Sequence, residues 1–283
     1  MIRPLRSLGR ALAVLLLLAF VPSHVTAGTG PDLALLSIDA LRTAPGSWVI
    51  LDARPPAAFH QGHIPSAHSL SWETYTRTDA SGVPYQPWPR EELAKAFGEL
   101  GLTEGSAVLV YGDADQSWGG EGWTAWLLAW MGHQGPIRLL DGGIAAWREA
   151  KLPLVTDEAK PAPLTYRPGA RPELDITTHD LRAAPESFAL VDVRSDAEWL
   201  VDRIPGAKHI AWDRFHEGED RRPLSPTALS ALLAESGVNP ERPVVYYCAG
   251  GIRSAYTWLV HQLSGLPPAR NYEGGMEEWK RTP

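Results

Sequence analysis

The sequence predicts an α/β protein of two similar domains, each a parallel sheet covered by helices on both faces. Three observations carry this. First, 283 residues exceed one ordinary domain and suit two of ~100–150 residues. Second, the halves repeat. Leu41-Arg42-x-Ala44-Pro45 recurs as Leu181-Arg182-x-Ala184-Pro185, Asp52-Ala53-Arg54 as Asp192-Val193-Arg194, and Ile64-Pro65-x-Ala67 as Ile204-Pro205-x-Ala207. Trp72 recurs as Trp212, Val108–Tyr111 as Val244–Tyr247, and Gly142-Gly143-x3-Trp147 as Gly274-Gly275-x3-Trp279. Duplication is the simplest account. Third, short apolar strands alternate with stretches of helical period, the pattern of a parallel sheet buried on both faces.

Taken in order, the chain opens on a targeting segment, residues 1–27. Arg3, Arg6 and Arg10 make a positive start, and Ala11–Val21 is an apolar run too short to span a bilayer. Val25-Thr26-Ala27 is a small-residue cleavage site. The expectation is an exported protein, periplasmic in a Gram-negative source, with no stable membrane insertion once the segment is removed; an uncleaved membrane anchor is the competing reading. Its loss takes away three arginines and no acid, so the formal net charge of -7 becomes more negative.

The first domain is placed at 31–154. Strands are expected near Trp48–Leu51, Ala67–Leu70, Val108–Tyr111 and Ile137–Leu140. Helices are expected near Asp39–Ala44, Glu91–Gly98, Gly122–Met131 and Gly143–Glu149. Residues 155–174 form a linker, with Pro161, Pro163, Pro168 and Pro172 favouring an extended chain. The second domain, 175–283, has strands near Ala189–Val193, Lys208–Ala211, Val244–Tyr247 and Arg270–Tyr272. Its helices fall near Thr178–Ala183, Pro226–Glu235, Ser254–Leu263 and Gly275–Trp279.

The chemistry concentrates at Cys248, the only cysteine in the chain. It follows a buried-strand pattern, Val244–Tyr247, as active residues do at the carboxyl ends of parallel strands. Ala249, Gly250, Gly251 and Ile252 then lead into a helix. Two adjacent glycines let the backbone curl, since no Cβ forbids positive φ. A curled loop at a helix start aims its N–H groups at the sulfur. The helix N-terminus and the guanidinium of Arg253 both favour thiolate over thiol. A lone thiol in an exported protein is an oxidation hazard, which is easier to explain if it reacts. In the first half, Tyr111 is followed by Gly112-Asp113-Ala114-Asp115, with neither thiol nor arginine. That half cannot perform the same nucleophilic chemistry.

Other residues resolve mainly to structure. Asp192 and Arg194 stand near the expected site as supporting residues. An Asp–Arg brace is the leading role for them, because buried charges are usually paired, and Glu198 is the expected further partner of Arg194. His60, His63 and His68 lack a fourth ligand at zinc-site spacing. Asp113-x-Asp115-x-Ser117 lacks the glycine and glutamate of a calcium loop. Trp118, Trp123, Trp126 and Trp130 suit a core or domain interface first, and a substrate wall second. Arg214, Arg221 and Arg222 lie in a charged loop; guiding an anionic donor is one reading, but exposed charges usually just solvate a loop. The acidic balance argues against a nucleic-acid partner. No G-x-G-x-x-G follows a strand and no P-loop is present, so no cofactor is expected.

Together these residues resemble the rhodanese family, in its tandem-domain form. The elements that match are Asp52-Ala-Arg54, Asp192-Val-Arg194, Phe59-His-Gln-Gly-His-Ile-Pro65, Asp141-Gly-Gly-x3-Trp147 and the Cys248–Arg253 loop. The resemblance implies two domains of five parallel strands each, the first inactive and the second catalytic. It implies that Cys248 carries a persulfide, with Ala249, Gly250, Gly251, Ile252 and Arg253 completing a six-residue loop and Ser254 following it. The implied activity is sulfur transfer from a small anionic donor (thiosulfate, 3-mercaptopyruvate or a persulfide) to cyanide, a thiol or a protein thiol. Basic residues do not follow Cys248 as in thiosulfate-preferring tandem enzymes, and Ala-Gly-Gly-Ile stands where mercaptopyruvate-preferring ones read Gly-Ser-Gly-Val. The donor is left open by both departures.

Arg253 reads two ways, as a direct partner of the bound sulfur or as a brace for the loop. Two other functions compete. A cysteine phosphatase or arsenate reductase needs C-x5-R to seat a tetrahedral oxyanion, whereas Cys248 and Arg253 make C-x4-R, a ring closer to one sulfur atom. A non-catalytic binding protein would not require an intact nucleophile loop.

Overall fold

The computed structural model describes residues 30–43, 48–114 and 116–282. The targeting segment expected at 1–27 lies outside them. Among the described residues no helix is long and apolar enough to cross a membrane.

The first domain holds a five-stranded sheet, ordered Leu33–Leu36, Ile137–Leu140, Val108–Tyr111, Val49–Asp52 and His68–Ser69, with every pair parallel. The second repeats it with four strands, ordered Arg270–Tyr272, Val244–Tyr247, Ala189–Asp192 and Lys208–His209, again all parallel. The expectation of five strands in the second domain is corrected here. Where the first domain has Leu33–Leu36, the second has a single parallel bridge between Asp175 and Asn271. The chain just before it is a short 3-10 turn at Pro172–Leu174. Proline there has no N–H to give and holds φ fixed, so only one residue reaches the ladder.

All eight expected strands and all eight expected helices match their ranges within a residue or two, and the central Val108–Tyr111 and Val244–Tyr247 strands are buried along their whole length. Two six-residue helices were not foreseen, Pro56–Gln61 and Asp196–Val201. Each follows an Asp-x-Arg motif and is too short to show a period. A signal did exist for the second: Ser195 and Glu198 form a reciprocal capping box. Two short antiparallel hairpins were also missed, Thr76–Arg77 with Gln86–Pro87 and His216–Glu217 with Arg222–Pro223.

Apolar side chains fill both faces of each sheet. One outer core gathers Leu41, Ile50, Phe59 and Trp147; the other gathers Leu181, Leu190, Tyr247 and Met276. The largest core is shared by the domains. Its centre is the contact between helices Gly120–Trp130 and Ile252–Leu263. Trp123, Trp126 and Trp258 are fully buried there. At about 25 cal/mol per Å2, each contributes on the order of 4–6 kcal/mol of gross burial energy. Gly122 permits the close approach, because a Cβ there would collide with the main chain of Tyr256.

The proline-rich stretch is extended and lies along the first domain. Leu164 N–H donates to Gly98 O (2.9 Å) and Gly169 N–H to Met131 O (2.8 Å). Tyr166 is buried against Phe97, ring to edge at 5.1 Å.

Candidate active site

Strand Val244–Tyr247 delivers Cys248 to the carboxyl edge of the second sheet, where the residue is 1% exposed. The backbone then turns through Ala249, Gly250 and Gly251 into the helix that begins at Ile252. Both glycines are required, for different reasons. Gly251 holds φ 80°, and a Cβ on it would stand 2.7 Å from the carbonyl oxygen of Glu273. A Cβ on Gly250 would come within 2.5 Å of the Tyr85 ring. The loop is pinned from behind by the next helix: Met276 N–H donates to Cys248 O (2.9 Å) and Glu277 N–H to Ala249 O (3.0 Å).

Three side chains define the environment of the sulfur. Ser254 Oγ donates to Cys248 Sγ at 3.5 Å. Arg253 lies within interaction range of Cys248 and donates two hydrogen bonds to Glu198, Nη1 to Oε2 and Nη2 to Oε1, each 2.8 Å. That fork, together with the bonds from Ser195, holds the Glu198 carboxyl down at about 2. Burial by itself lowers the Arg253 pKa, but the bonds to Glu198 outweigh it and keep the guanidinium charged.

The pairing of Glu198 with Arg194 expected from spacing is therefore corrected. Arg194 is bound on one side by Asp192 (Nε to Oδ1 3.0 Å, Nη2 to Oδ2 2.6 Å) and on the other by Asp202 (Nη1 to Oδ1 2.9 Å). Asp192 and Arg194 are both buried and act as a brace beneath the site. The first domain has the same brace in Asp52 and Arg54, where Arg54 Nη2 reaches Gly62 O (2.8 Å). Asp202 stands in the place of Gly62, so its side chain adds a second carboxylate to the arginine.

A cavity of about 370 Å3 opens over Cys248. Its floor is the Cys248 loop, and Glu198 and Arg253 line one side. Trp72, Tyr85 and Trp118, all from the first domain, complete the lining. Trp72 is set by a bond from its Nε1 to Ser117 O (3.3 Å) and meets Tyr85 edge to face at 5.9 Å. A buried thiol with hydrogen-bonding neighbours on the lining of a cavity is suited to forming a covalent bond with a small group that enters it.

Residues 38–150 and 177–282 each match the family described as rhodanese-like domain. The chain belongs to the rhodanese-like family. It is 30% identical over 244 residues to the sulfur carrier protein TtuD of Thermus thermophilus, covering 78% of this chain and 83% of that one. It is 31% identical over 244 residues to a probable 3-mercaptopyruvate sulfurtransferase of Pseudomonas aeruginosa, covering 80% of this chain and 84% of that one. In fold it is similar to SseA from Escherichia coli, with a TM-score of 0.76 at 22% identity over 85% of this chain and 98% of that one.

The two rhodanese-like domains differ at the corresponding loop. Gly112 stands where Cys248 stands, and Glu121, second in its helix, takes the place of Arg253. The Glu121 carboxylate lies against Gly112, filling the space a side chain there would need. Burial pushes the Glu121 carboxyl up to about 7.

Sequence reasoning assigned the tryptophans as a group; the structure divides them. Trp123 and Trp126 are core, and Trp130 stacks on Trp126 at 5.6 Å with the Arg90 guanidinium 3.5 Å from its ring centre. Trp118 instead lines the cavity over Cys248. Arg214 pairs with Glu235 (3.2 Å) and Arg222 with Asp141 across the domains (2.8 Å). Arg221 and Arg222 line a separate cavity of about 90 Å3 beside Glu121 and Tyr256. His60 pairs with Glu158 (3.2 Å), and His63 stacks on Phe59 at 3.8 Å.

A second acidic feature behind the loop was not foreseen. Glu273 follows strand Arg270–Tyr272 and lies against Gly251; its main-chain N–H donates to Asp175 Oδ1 (3.1 Å). Burial raises the Glu273 carboxyl well above its usual range, and neighbouring Asp175, Cys248 and Glu278 push the same way. Burial likewise lifts Asp175 to about 7. No motif marks this pair, because its partners meet across almost one hundred residues.

Proposed function

We propose that this chain is a sulfurtransferase that moves sulfane sulfur from an anionic donor to a thiophilic acceptor through a persulfide on Cys248. The observation that carries the reading is the single buried thiol at the mouth of the Gly250–Gly251 turn, facing an organic-sized cavity, in a chain whose relatives bear sulfurtransferase names.

In the first half-reaction the Cys248 thiolate attacks the outer sulfur of the donor. A new S–S bond forms, the donor's bond to that sulfur breaks, and its electron pair departs with sulfite or, from 3-mercaptopyruvate, with the pyruvate carbanion, which is then protonated. In the second, a thiol, cyanide or protein thiol attacks the outer sulfur and Cys248 leaves as thiolate. This is covalent catalysis in two steps. Loop N–H groups, Ser254 and the start of the helix stabilise the sulfur anion throughout. The double bond from Arg253 to Glu198 supports a bracing role: the guanidinium holds the loop while remaining near enough to favour negative sulfur. Asp192 and Arg194 support the strand end from below.

We also propose that the protein is exported, on the strength of Arg3, Arg6, Arg10 and the apolar run Ala11–Val21. Fractionation of expressing cells and N-terminal sequencing test this; a cytosolic chain still beginning at Met1 would refute it.

The first experiment on activity is intact mass after thiosulfate, and separately after 3-mercaptopyruvate, each beside Cys248→Ser. Gain of one sulfur atom, absent in the variant and removed by cyanide, is expected from at least one donor. No gain from any sulfane donor would exclude the persulfide.

A further inference from the structure

The cavity over Cys248 is more than a small inorganic anion needs. Its volume of about 370 Å3 lies within the ~300–1,000 Å3 typical of organic-ligand pockets. Its aromatic lining, Trp72, Tyr85 and Trp118, comes entirely from the first domain. Tyr85 and Trp118 both hold positive φ, 67° and 54°. Bulky residues rarely adopt that conformation, and such strain gathers at ligand sites. Trp118 is also 55% exposed, with its indole inclined 29° to that of Trp212 at 6.5 Å. Core packing does not explain a tryptophan that is both exposed and strained. A flat ligand lying on its free face does.

Charge points the same way. The ionised side chains lining the cavity are Glu198 and Arg253, and they neutralise each other through two 2.8 Å bonds. The cavity therefore presents aromatic surface and a balanced ion pair, with the sulfur at its floor.

We propose that the sulfur acceptor is a planar organic thiol, aromatic or heteroaromatic, whose ring lies on Trp118 and whose sulfur points at Cys248. This rests on the persulfide reading above and names the class of its second substrate. The acceptor thiol attacks the outer sulfur of the anionic Cys248 persulfide, and its proton passes to that outer sulfur. The acceptor-to-outer-sulfur bond forms and the bond to Cys248 Sγ breaks. The electron pair stays on Cys248 as thiolate, and the acceptor leaves as a hydropersulfide. No oxidant or reductant is needed. Small donors and cyanide use the loop and leave the aromatic wall untouched; the planar thiol uses both.

The test loads Cys248 with sulfur and confirms the load by intact mass. The second-order discharge rates with 4-mercaptophenylacetate and with cyanide are then measured in wild type, Trp118→Ala and Trp118→Phe. The quantity of interest is the ratio of the two rates, which cancels any general effect on the persulfide. Loss of one stacking wall should lower this ratio about tenfold in Trp118→Ala, with most of it recovered in Trp118→Phe. A ratio in Trp118→Ala that matches wild type, whether both rates hold or both fall together, overturns the proposal. Failure of Cys248 to load is seen in the mass spectrum before any acceptor is added; it would sink the persulfide reading itself and this inference with it.

Discussion

Arg253 and Glu198 face each other across the mouth of the Cys248 loop, joined by two parallel hydrogen bonds of 2.8 Å. The arginine is second in the helix after the loop; the glutamate completes the capping box of the short helix Asp196–Val201. One ion pair thus ties the nucleophile loop to the segment that follows the Asp192–Arg194 brace. Planar, bidentate geometry gives such a pair direction as well as charge.

Cutting that tie should cost stability. Arg253 is largely buried while Glu198 is 35% exposed in its side chain, so solvent screens part of the effect. Glu198→Gln is expected to destabilise the fold by about 1–2 kcal/mol, below the 3–5 kcal/mol of a fully buried pair. It should also slow sulfur loading of Cys248. Urea unfolding and stopped-flow loading measure the two effects; unchanged values in both would mean the pair does not hold the loop.

The same pair sets an acid dependence. Glu198 is depressed from the ordinary 4.5 to about 2 in the folded protein. Its contribution is therefore complete above pH 4.5 and is lost as the pH falls toward 2. Urea midpoints of wild type and Glu198→Gln should differ at pH 6 and draw together by pH 2–3. A gap that persists at low pH would contradict the assignment.

Asp175 works in the opposite direction. Burial raises its carboxyl from the ordinary 3.8 to about 7, so folding favours the protonated form. Its effect on stability is least harmful below pH 3.8 and grows more unfavourable as the pH rises to about 7. Asp175→Asn keeps an oxygen to accept from the N–H groups of Ile176 and Glu273. The variant should gain stability relative to wild type at pH 8 and lose that advantage at pH 4. Thermal melts at the two pH values decide it.

Gly251→Ala meets two obstacles together, φ of 80° and the carbonyl oxygen of Glu273 at 2.7 Å. A loss of about 1–3 kcal/mol is expected, with sulfur loading abolished because the curl that surrounds Cys248 cannot form. Gly105→Ala, whose Cβ would meet nothing within 4 Å, is the control and should sit within about 0.5 kcal/mol of wild type. Chemical unfolding and intact mass report on both.

Ser254→Ala removes the hydroxyl that donates to Cys248 Sγ at 3.5 Å. A single bond of this kind is worth about 0.5–1.5 kcal/mol, or roughly 2- to 12-fold in rate. Alkylation of the free thiol by iodoacetamide should change by such a factor, while Thr at the same position should restore it. An unaffected rate would remove Ser254 from the sulfur's environment.

Much of this was determined by the sequence alone. The duplication, the strand–helix alternation and the turn at Cys248 are local patterns. They are written in residue spacing, apolar period and the placement of glycine, each of which acts within one element or its immediate neighbour. The Asp192–Arg194 brace was legible for the same reason, since its members lie two residues apart. Tertiary structure decided the rest. Glu198 binds Arg253, 55 positions away, because the fold brings two helix starts together, although Arg194 is nearer in sequence. Trp72, Tyr85 and Trp118 join Cys248 around one cavity because helices Gly120–Trp130 and Ile252–Leu263 press the first domain onto the second. The Asp175 and Glu273 carboxyls are raised above their usual range only once packing removes water from both. Spacing along a chain reports which way a side chain leaves its own element; which distant group it meets, and whether water still reaches it, depends on how the elements close.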